Sequence, residues 1–379
     1  MNKKIVALAV AAAFTIPAAA SAQVTLFGTL EQEVVHNSGN FFKDRNDDKS
    51  GFFVTDGQIG TSWNNGAGPS TIGIRATHDL GNGMTALGVA TFNPLGADLG
   101  SRDLYVGLNM GAPGTILVGR LTTPFATSGK DPFHGTFMQA RGNGGMLGTA
   151  GNLGNGGHLR NVVAYTNSFG PLSFVGGVVL DEGPVGDPNA GLPASAGSNN
   201  HAFALRVNYD IGDGDLWFAW TRADDYQAAG ETLTGEDDVD VNLRGIKLGG
   251  EYTFGDFRVM GQWERVENLT ALDLGFDGIG TPAVEPRSGL VNYGDDGKAD
   301  FYLLSGSYTL GANVISLNLG QHNPKGDADS TRYAALGVMH NFTPRVRAHA
   351  GYRMSDNRAD RADGGGKVHA IGAGMRVSF

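Results

Sequence analysis

From Val24 onward, apolar and polar positions alternate with a period of two, in short runs separated by turn residues. Val24, Leu26, Gly28, Leu30 and Val34 share one face of a strand predicted over residues 24–35. The same pattern predicts strands over 70–80, 84–92, 102–110, 115–120, 162–168, 172–180, 201–209, 215–222, 243–254, 257–267, 298–310, 313–321, 332–342, 346–354 and 367–379, 16 in all. Alternation at every position is the mark of a strand with two unlike faces. Gly81-Asn82-Gly83, Gly111 to Gly114, Phe169-Gly170-Pro171, Ile211 to Gly214, Gly255-Asp256, Gly311-Ala312 and Thr343-Pro344-Arg345 are short hairpin turns. The connections between these hairpins are longer, about forty residues for Leu121 to Arg160.

Connections that alternate between short and long put all short turns at one end of an antiparallel sheet. That arrangement is expected of a barrel crossing the bacterial outer membrane, with short turns in the periplasm and long loops outside. An even strand count returns both termini to the periplasm. The amino end agrees: Lys3 and Lys4, an apolar run from Ile5 to Ile16, then Ala20-Ser21-Ala22 read as an export signal. Residues 1–22 are therefore expected to be cleaved and residues 23–379 to form the barrel domain. Beyond the signal no stretch approaches the roughly 18 apolar residues of a spanning helix. Crossing the membrane is then possible only as a closed barrel.

The apolar faces should meet lipid: Phe203, Leu205, Val207 and Tyr209; Ile246, Leu248, Tyr252 and Phe254; Ile315, Leu317 and Leu319; Ile371, Met375, Val377 and Phe379. Tyr209, Tyr252, Phe254, Phe342 and Phe379 fall at the periplasmic strand ends, where an aromatic girdle is expected. The opposite faces carry Arg75, Arg206, Lys247, Arg258, Arg347, His349 and Arg353, with Glu31, Glu33, Asp79, Glu251 and Glu264. So many charges require water, and a wide barrel with a wet interior is a channel.

Composition narrows the alternatives. The chain has no Cys, which excludes disulfides, thiolate nucleophiles and Cys-ligated metals. Its 60 Gly follow no collagen period. The net charge of −10 becomes −12 once Lys3 and Lys4 leave with the signal, and an acidic chain without basic tracts argues against nucleic acid.

Several segments together resemble the general porins of beta- and gammaproteobacteria, of the neisserial and Comamonas/Burkholderia type. They are Val24-Thr25-Leu26-Phe27-Gly28, Ile72-Gly73-Ile74-Arg75, Asp79 to Gly83, Tyr105-Val106-Gly107-Leu108, Val118-Gly119-Arg120, Thr123-Pro124, Asp131-Pro132-Phe133, and Gly374-Met375-Arg376 with Phe379. They occur in the family's order and cover the whole mature chain. The resemblance implies a homotrimer of 16-stranded barrels whose third loop folds inward and narrows the pore. It also implies outer-membrane lipid and lipopolysaccharide as surroundings, and assembly machinery that reads Phe379. Three features depart from the family pattern: Ala164 at a usually basic position, a Gly-rich run from Gly142 to Gly157, and a short second external loop from Pro94 to Gly100.

The expected function is passive diffusion of small hydrophilic solutes and ions, with selectivity set by the constriction. Asp131 from the third loop, with Arg141 and Arg160, is expected to face Arg75, Arg120, Arg206 and Arg347 on the wall. Since the inner-face list leans basic, anions should be preferred. No cofactor or metal is expected: Asp273 to Asp277 and Asp295-Asp296-Gly297 lack calcium-loop spacing. No G-x-S-x-G, H-E-x-x-H or P-loop is present. A substrate-specific channel stands as the alternative, followed by a barrel enzyme and an adhesin.

Overall fold

The computed structural model describes residues 22–38, 51–54, 70–94, 100–140, 155, 158–180, 201–227, 240–267, 298–325, 330–356 and 367–379. The predicted signal lies outside these residues apart from Ala22, as do Arg141, most of the Gly-rich run and the acidic segments of 273–277 and 295–297. The strands are β1 (Ala22–Ser38), β2 (Gly51–Val54), β3 (Thr71–Gly81), β4 (Met84–Asn93), β5 (Gly100–Asn109), β6 (Thr115–Thr122), β7 (His158–Phe169), β8 (Leu172–Val179) and β9 (Ala202–Asp210). They continue as β10 (Gly214–Gln227), β11 (Asp240–Phe254), β12 (Phe257–Glu267), β13 (Lys298–Leu310), β14 (Asn313–Pro324), β15 (Thr331–Thr343), β16 (Val346–Asp356) and β17 (Lys367–Ser378).

From β3 onward each strand pairs antiparallel with the next. β1 closes the ring: residues 22–29 pair with β3 and residues 29–38 with β17. The result is a closed antiparallel barrel of 16 strands. The seventeenth element, β2, pairs with residues 34–37 of β1, on the edge that β3 occupies lower down. The second barrel strand is therefore split in two pieces, where a single loop from His36 to Pro69 was expected.

All seven predicted turns connect the strands as read. Glycines at positive φ (Gly81, Gly83, Gly111, Gly114, Gly170, Gly212, Gly255 and Gly311) occupy six of them, the left-handed geometry that an L side chain resists. β7 begins four residues earlier than the 162–168 strand predicted. Asn161 has φ 54° and sits at a register shift opposite β6. The irregularity changes the parity of the inward face, so that Leu159 is buried together with Val162 and Ala164.

The outward ladder between β12 and β13 shows what surrounds the barrel. Successive pairs are Phe257↔Tyr308, Val259↔Gly306, Gly261↔Leu304 and Trp263↔Tyr302, then Arg265↔Asp300 and Glu267↔Lys298. Apolar groups fill the middle, aromatic rings flank them, and charge begins only beyond Trp263. Phe203, Tyr209, Leu248, Tyr252, Phe254, Leu317, Leu319, Ile371, Met375 and Phe379 are likewise large, apolar and exposed on the outer wall. A surface this apolar is stable only against lipid.

Closure depends on a tight approach at Gly28. Its amide and carbonyl exchange 3.0 Å hydrogen bonds with Phe379. The Phe379 ring lies over it, such that a Cβ on Gly28 would stand 2.6 Å from Cζ and 2.5 Å from the Thr71 carbonyl. Gly28→Val is expected to force the β1–β17 seam apart and lower the temperature at which the folded barrel loses its compact gel mobility. Phe379→Leu, which keeps the apolar cover, should have a smaller effect in the same heat-modifiability assay.

Candidate functional site

Residues 123–140 leave the end of β6 and run inside the barrel. Phe125, Ser128, Phe133, Thr136, Phe137, Met138, Gln139 and Ala140 are all buried, although they belong to a loop. A loop whose backbone is removed from solvent needs partners for its polar groups. Here the barrel wall supplies them, strand by strand.

The first stretch is fastened to β9–β12. Arg206 of β9 donates to the Thr127 hydroxyl at 2.9 Å and to its carbonyl at 3.2 Å. Lys247 of β11 is fully buried; it donates to the Phe125 carbonyl at 2.9 Å and its Nζ lies 4.1 Å from the Phe125 ring centre. Its charge is met by Glu264 of β12 at 3.6 Å, and Asn155 bonds both Lys247 and Glu264. Breaking such a buried pair by removing one member typically costs about 3–5 kcal/mol. Gly129 packs on Trp217 and Gln262 so closely that no side chain would fit. Lys130 then reaches Asp215 of β10 and Glu251 of β11. Burial works against its charge, but the hydrogen bonds it donates to both carboxylates outweigh it and hold the ammonium above the usual lysine range.

The second stretch is fastened to β14–β17 and β1. Asp131 accepts from the Phe133 amide at 2.9 Å, the Ala140 amide at 2.7 Å and the Asn318 side chain of β14 at 2.8 Å. Glu33 of β1 accepts from the Phe137 amide at 2.8 Å and from His349 at 2.7 Å. Tyr333 of β15 bonds the Met138 carbonyl. Arg376 of β17, itself paired with Glu31, donates to the carbonyls of His134 at 3.4 Å and Gly135 at 3.2 Å. Met138 plugs a recess made by two facing glycines, Gly337 and Gly351, where any Cβ would meet its sulfur.

The loop thus covers the inner wall from β9 round to β1. The residues predicted to build the constriction are divided by this arrangement. Arg75 stands on the inner face of β3, exposed, with its guanidinium 5.3 Å from the Phe27 ring centre. Arg206 and Arg347 hold the loop, Arg347 through a 3.5 Å contact to the His134 carbonyl. Arg120 lies in the irregular stretch of β6 opposite β7, close enough to Arg160 for the two charges to act on each other. Asp131 corrects the expectation attached to it. Its carboxylate is buried and engaged by loop amides and Asn318, so it braces the loop and presents no open acid to the lumen. Lys130 adds a pairing of the opposite sense, a loop cation set against the wall acids Asp215 and Glu251. Lys130, Glu33, Glu31 and Arg376 were not among the predicted site residues. For Glu31, Glu33 and Arg376 only inward parity could have signalled them, since Arg376 and Glu31 lie 345 residues apart, and Lys130, in a loop, has no parity to read.

A closed, lipid-faced barrel with charged residues and an inward loop in its lumen defines a membrane channel. A family model described as Gram-negative porin matches residues 7–360, and the chain belongs to that family. An outer membrane porin protein of Bordetella pertussis is 26% identical over 409 residues, covering 100% of both chains. The outer membrane porin protein 32 of Delftia acidovorans is 26% identical over 377 residues, covering 94% of this chain and 90% of the relative. Among solved structures, an anion-selective porin from Comamonas acidovorans has the same fold, with TM-score 0.67 at 19% identity over 94% of this chain and 100% of that one. The protein is an outer-membrane porin channel.

The bracing role of Asp131 is testable. Asp131→Ala leaves two buried amides and Asn318 without their acceptor, at about 1–3 kcal/mol for each unsatisfied group. The loop should come away from β14, and single-channel records in a planar bilayer should show larger current noise with the barrel still folded. Asp131→Asn keeps an acceptor oxygen and should lie between the variant and the wild type.

Proposed function

We propose that the channel passes small hydrophilic solutes and ions by passive diffusion, that residues 123–140 form its constriction, and that it prefers anions. One observation carries the preference. Among the described residues, the inward-facing Arg75, Arg206 and Arg347 form no ion pair, whereas Lys130, Lys247 and Arg376 are matched by carboxylates. The described loop offers no counterweight, because its one acid is Asp131. Unmatched cations in a narrow aqueous passage between low-dielectric walls raise the local anion concentration and oppose cation entry.

The reading extends to the rest of the molecule as the family resemblance implies. Residues 1–22 direct export and are removed, the barrel works as a homotrimer, and Phe379 serves its assembly. Porins are channels, and diffusion through this lumen needs no catalytic group.

In a planar bilayer with a salt gradient, the purified protein is expected to give a reversal potential of the sign set by anion flow. Replacing Arg75, Arg206 and Arg347 together by Gln should move that potential toward zero. A cation-selective wild type would overturn the preference, and a folded, inserted protein without conductance would overturn the channel reading.

A further inference from the structure

Residues 123–140 are fastened to the charged part of the inner wall, β9 round to β1. The inner wall from β4 to β7 is of another kind. Two successive rows of its ladder read Val89↔Tyr105↔Gly119↔Val162 and Leu87↔Gly107↔Leu117↔Ala164. No side chain in either row carries a charge. Leu104, Val106, Ile116 and Val118 alternate with these positions and are exposed on the outer wall. Tyr105 and Leu117 therefore point to the lumen, where they pack against the buried cluster that includes Val162 and Ala164. Leu87, Tyr105 and Leu117 are only half-buried. Gly107 lets the two leucines meet: a Cβ there would stand 2.6 Å from Leu117 Cδ2 and 3.1 Å from Leu87 Cδ1.

At the edge of this apolar strip stands an exposed cation. Arg75 of β3 is opposite Val89, and two strand spacings, about 10 Å, separate it from Tyr105. Its guanidinium lies 5.3 Å from the Phe27 ring centre. That ring is itself held over Gly73, where a Cβ would be 2.3 Å from Cζ. Among the described residues Arg75 forms no ion pair, and the acids nearest to this stretch in sequence are engaged elsewhere. Asp79 accepts from the Gly81 amide at 2.8 Å. Asp103 accepts from the Thr122 amide at 2.7 Å and hydroxyl at 3.0 Å, and lies 2.9 Å from His158 Nδ1.

The combination selects its ligand. A guanidinium pairs a carboxylate bidentately, and more strongly where apolar neighbours displace water. Half-exposed apolar groups beside it gain when an apolar surface covers them. Chloride can use only the cation. A polyhydroxylated acid would have to strip water from its hydroxyls against a strip whose one side-chain partner for them is the Tyr105 hydroxyl. A small carboxylate with an aromatic or aliphatic body uses both the cation and the strip. We propose that Arg75, with Phe27, Leu87, Val89, Tyr105 and Leu117, forms a lumenal subsite for small carboxylates with an apolar body. The subsite rests on the channel reading given above and specifies which organic anions the lumen favours.

The test is block of chloride current through the full barrel in a planar bilayer at neutral pH. The added anions are benzoate and threonate, a polyhydroxy carboxylate of similar size. In the wild type, benzoate should halve the current at a roughly tenfold lower concentration than threonate. Leu87→Gln with Leu117→Gln should bring the two concentrations together by weakening benzoate alone. Val89→Thr, which keeps the side-chain shape, should narrow the gap, and Arg75→Gln should weaken both anions. Heat-modifiability on gels checks that each variant is folded. Equal block by benzoate and threonate in the wild type would overturn the apolar recognition. A wild-type ratio kept by both the leucine double variant and Val89→Thr would overturn its location, and unchanged benzoate block in Arg75→Gln would overturn the anchor. Chloride conductance and the salt-gradient potential, recorded before either acid is added, separate the two readings. Their loss marks failure of the channel reading, whereas anion-selective conductance with equal block marks failure of this inference alone.

Discussion

The structure depends on one requirement: within hydrocarbon, every backbone amide and carbonyl must find its partner in the protein. An open sheet fails at its two edges. This chain removes both by laying β17 against β1 and returning the amide and carbonyl of Phe379 to Gly28. The residue types at that seam follow from the requirement. Glycine allows the two strands and the ring to approach, and phenylalanine covers the approach with an apolar group facing lipid. The outward apolar ladder and the inward polar one are then two sides of the same alternation, fixed once the register of the seam is fixed.

Closure creates a second problem, because a barrel of this width has no packed core of its own. Its lumen is filled in part by residues 123–140, and their stability has to come from contacts to a wall that is otherwise wet. Two devices supply it. Buried charged groups that already have partners, Lys247 with Glu264 and Glu33 with His349, donate to or accept from the loop backbone. Glycine recesses at Gly337, Gly351 and Gly129 let apolar groups interlock. The charges read from the sequence as lining the passage therefore separate into those paired with an opposite charge, such as Lys247 and Arg376, and those that form no ion pair, such as Arg75, Arg206 and Arg347. Only the second group acts on passing ions, which is why a list of inward charges overstates the field in the lumen.

What could be read from the sequence follows the range of each interaction. Strand period and turn chemistry are local, and the hairpins from Gly81-Asn82-Gly83 to Thr343-Pro344-Arg345 were legible for that reason. Where a local irregularity intervened, legibility failed: Asn161 reversed the parity of β7, and Gly51 to Val54 is too short to show a period. Resemblance placed the loop inside the barrel. It could not say that Asp131 would turn back upon the loop, or that Lys130 would cross to Asp215 and Glu251. Those outcomes depend on which wall residues stand opposite at a given height, a matter of barrel register that no local window contains.

The same reasoning separates the two kinds of charge on this barrel. An inward charge is tolerated anywhere along a strand, because water or the loop is beside it, so its position carries little information by itself. An outward charge is tolerated only at the rim, so its position is informative. Arg265, Lys298 and Lys325 satisfy the rim condition, and Asp300 beneath them adds a constraint that solubility alone would not require. An acid covered by its cations fixes their geometry, whereas a solvated rim would be served as well by charges scattered without order.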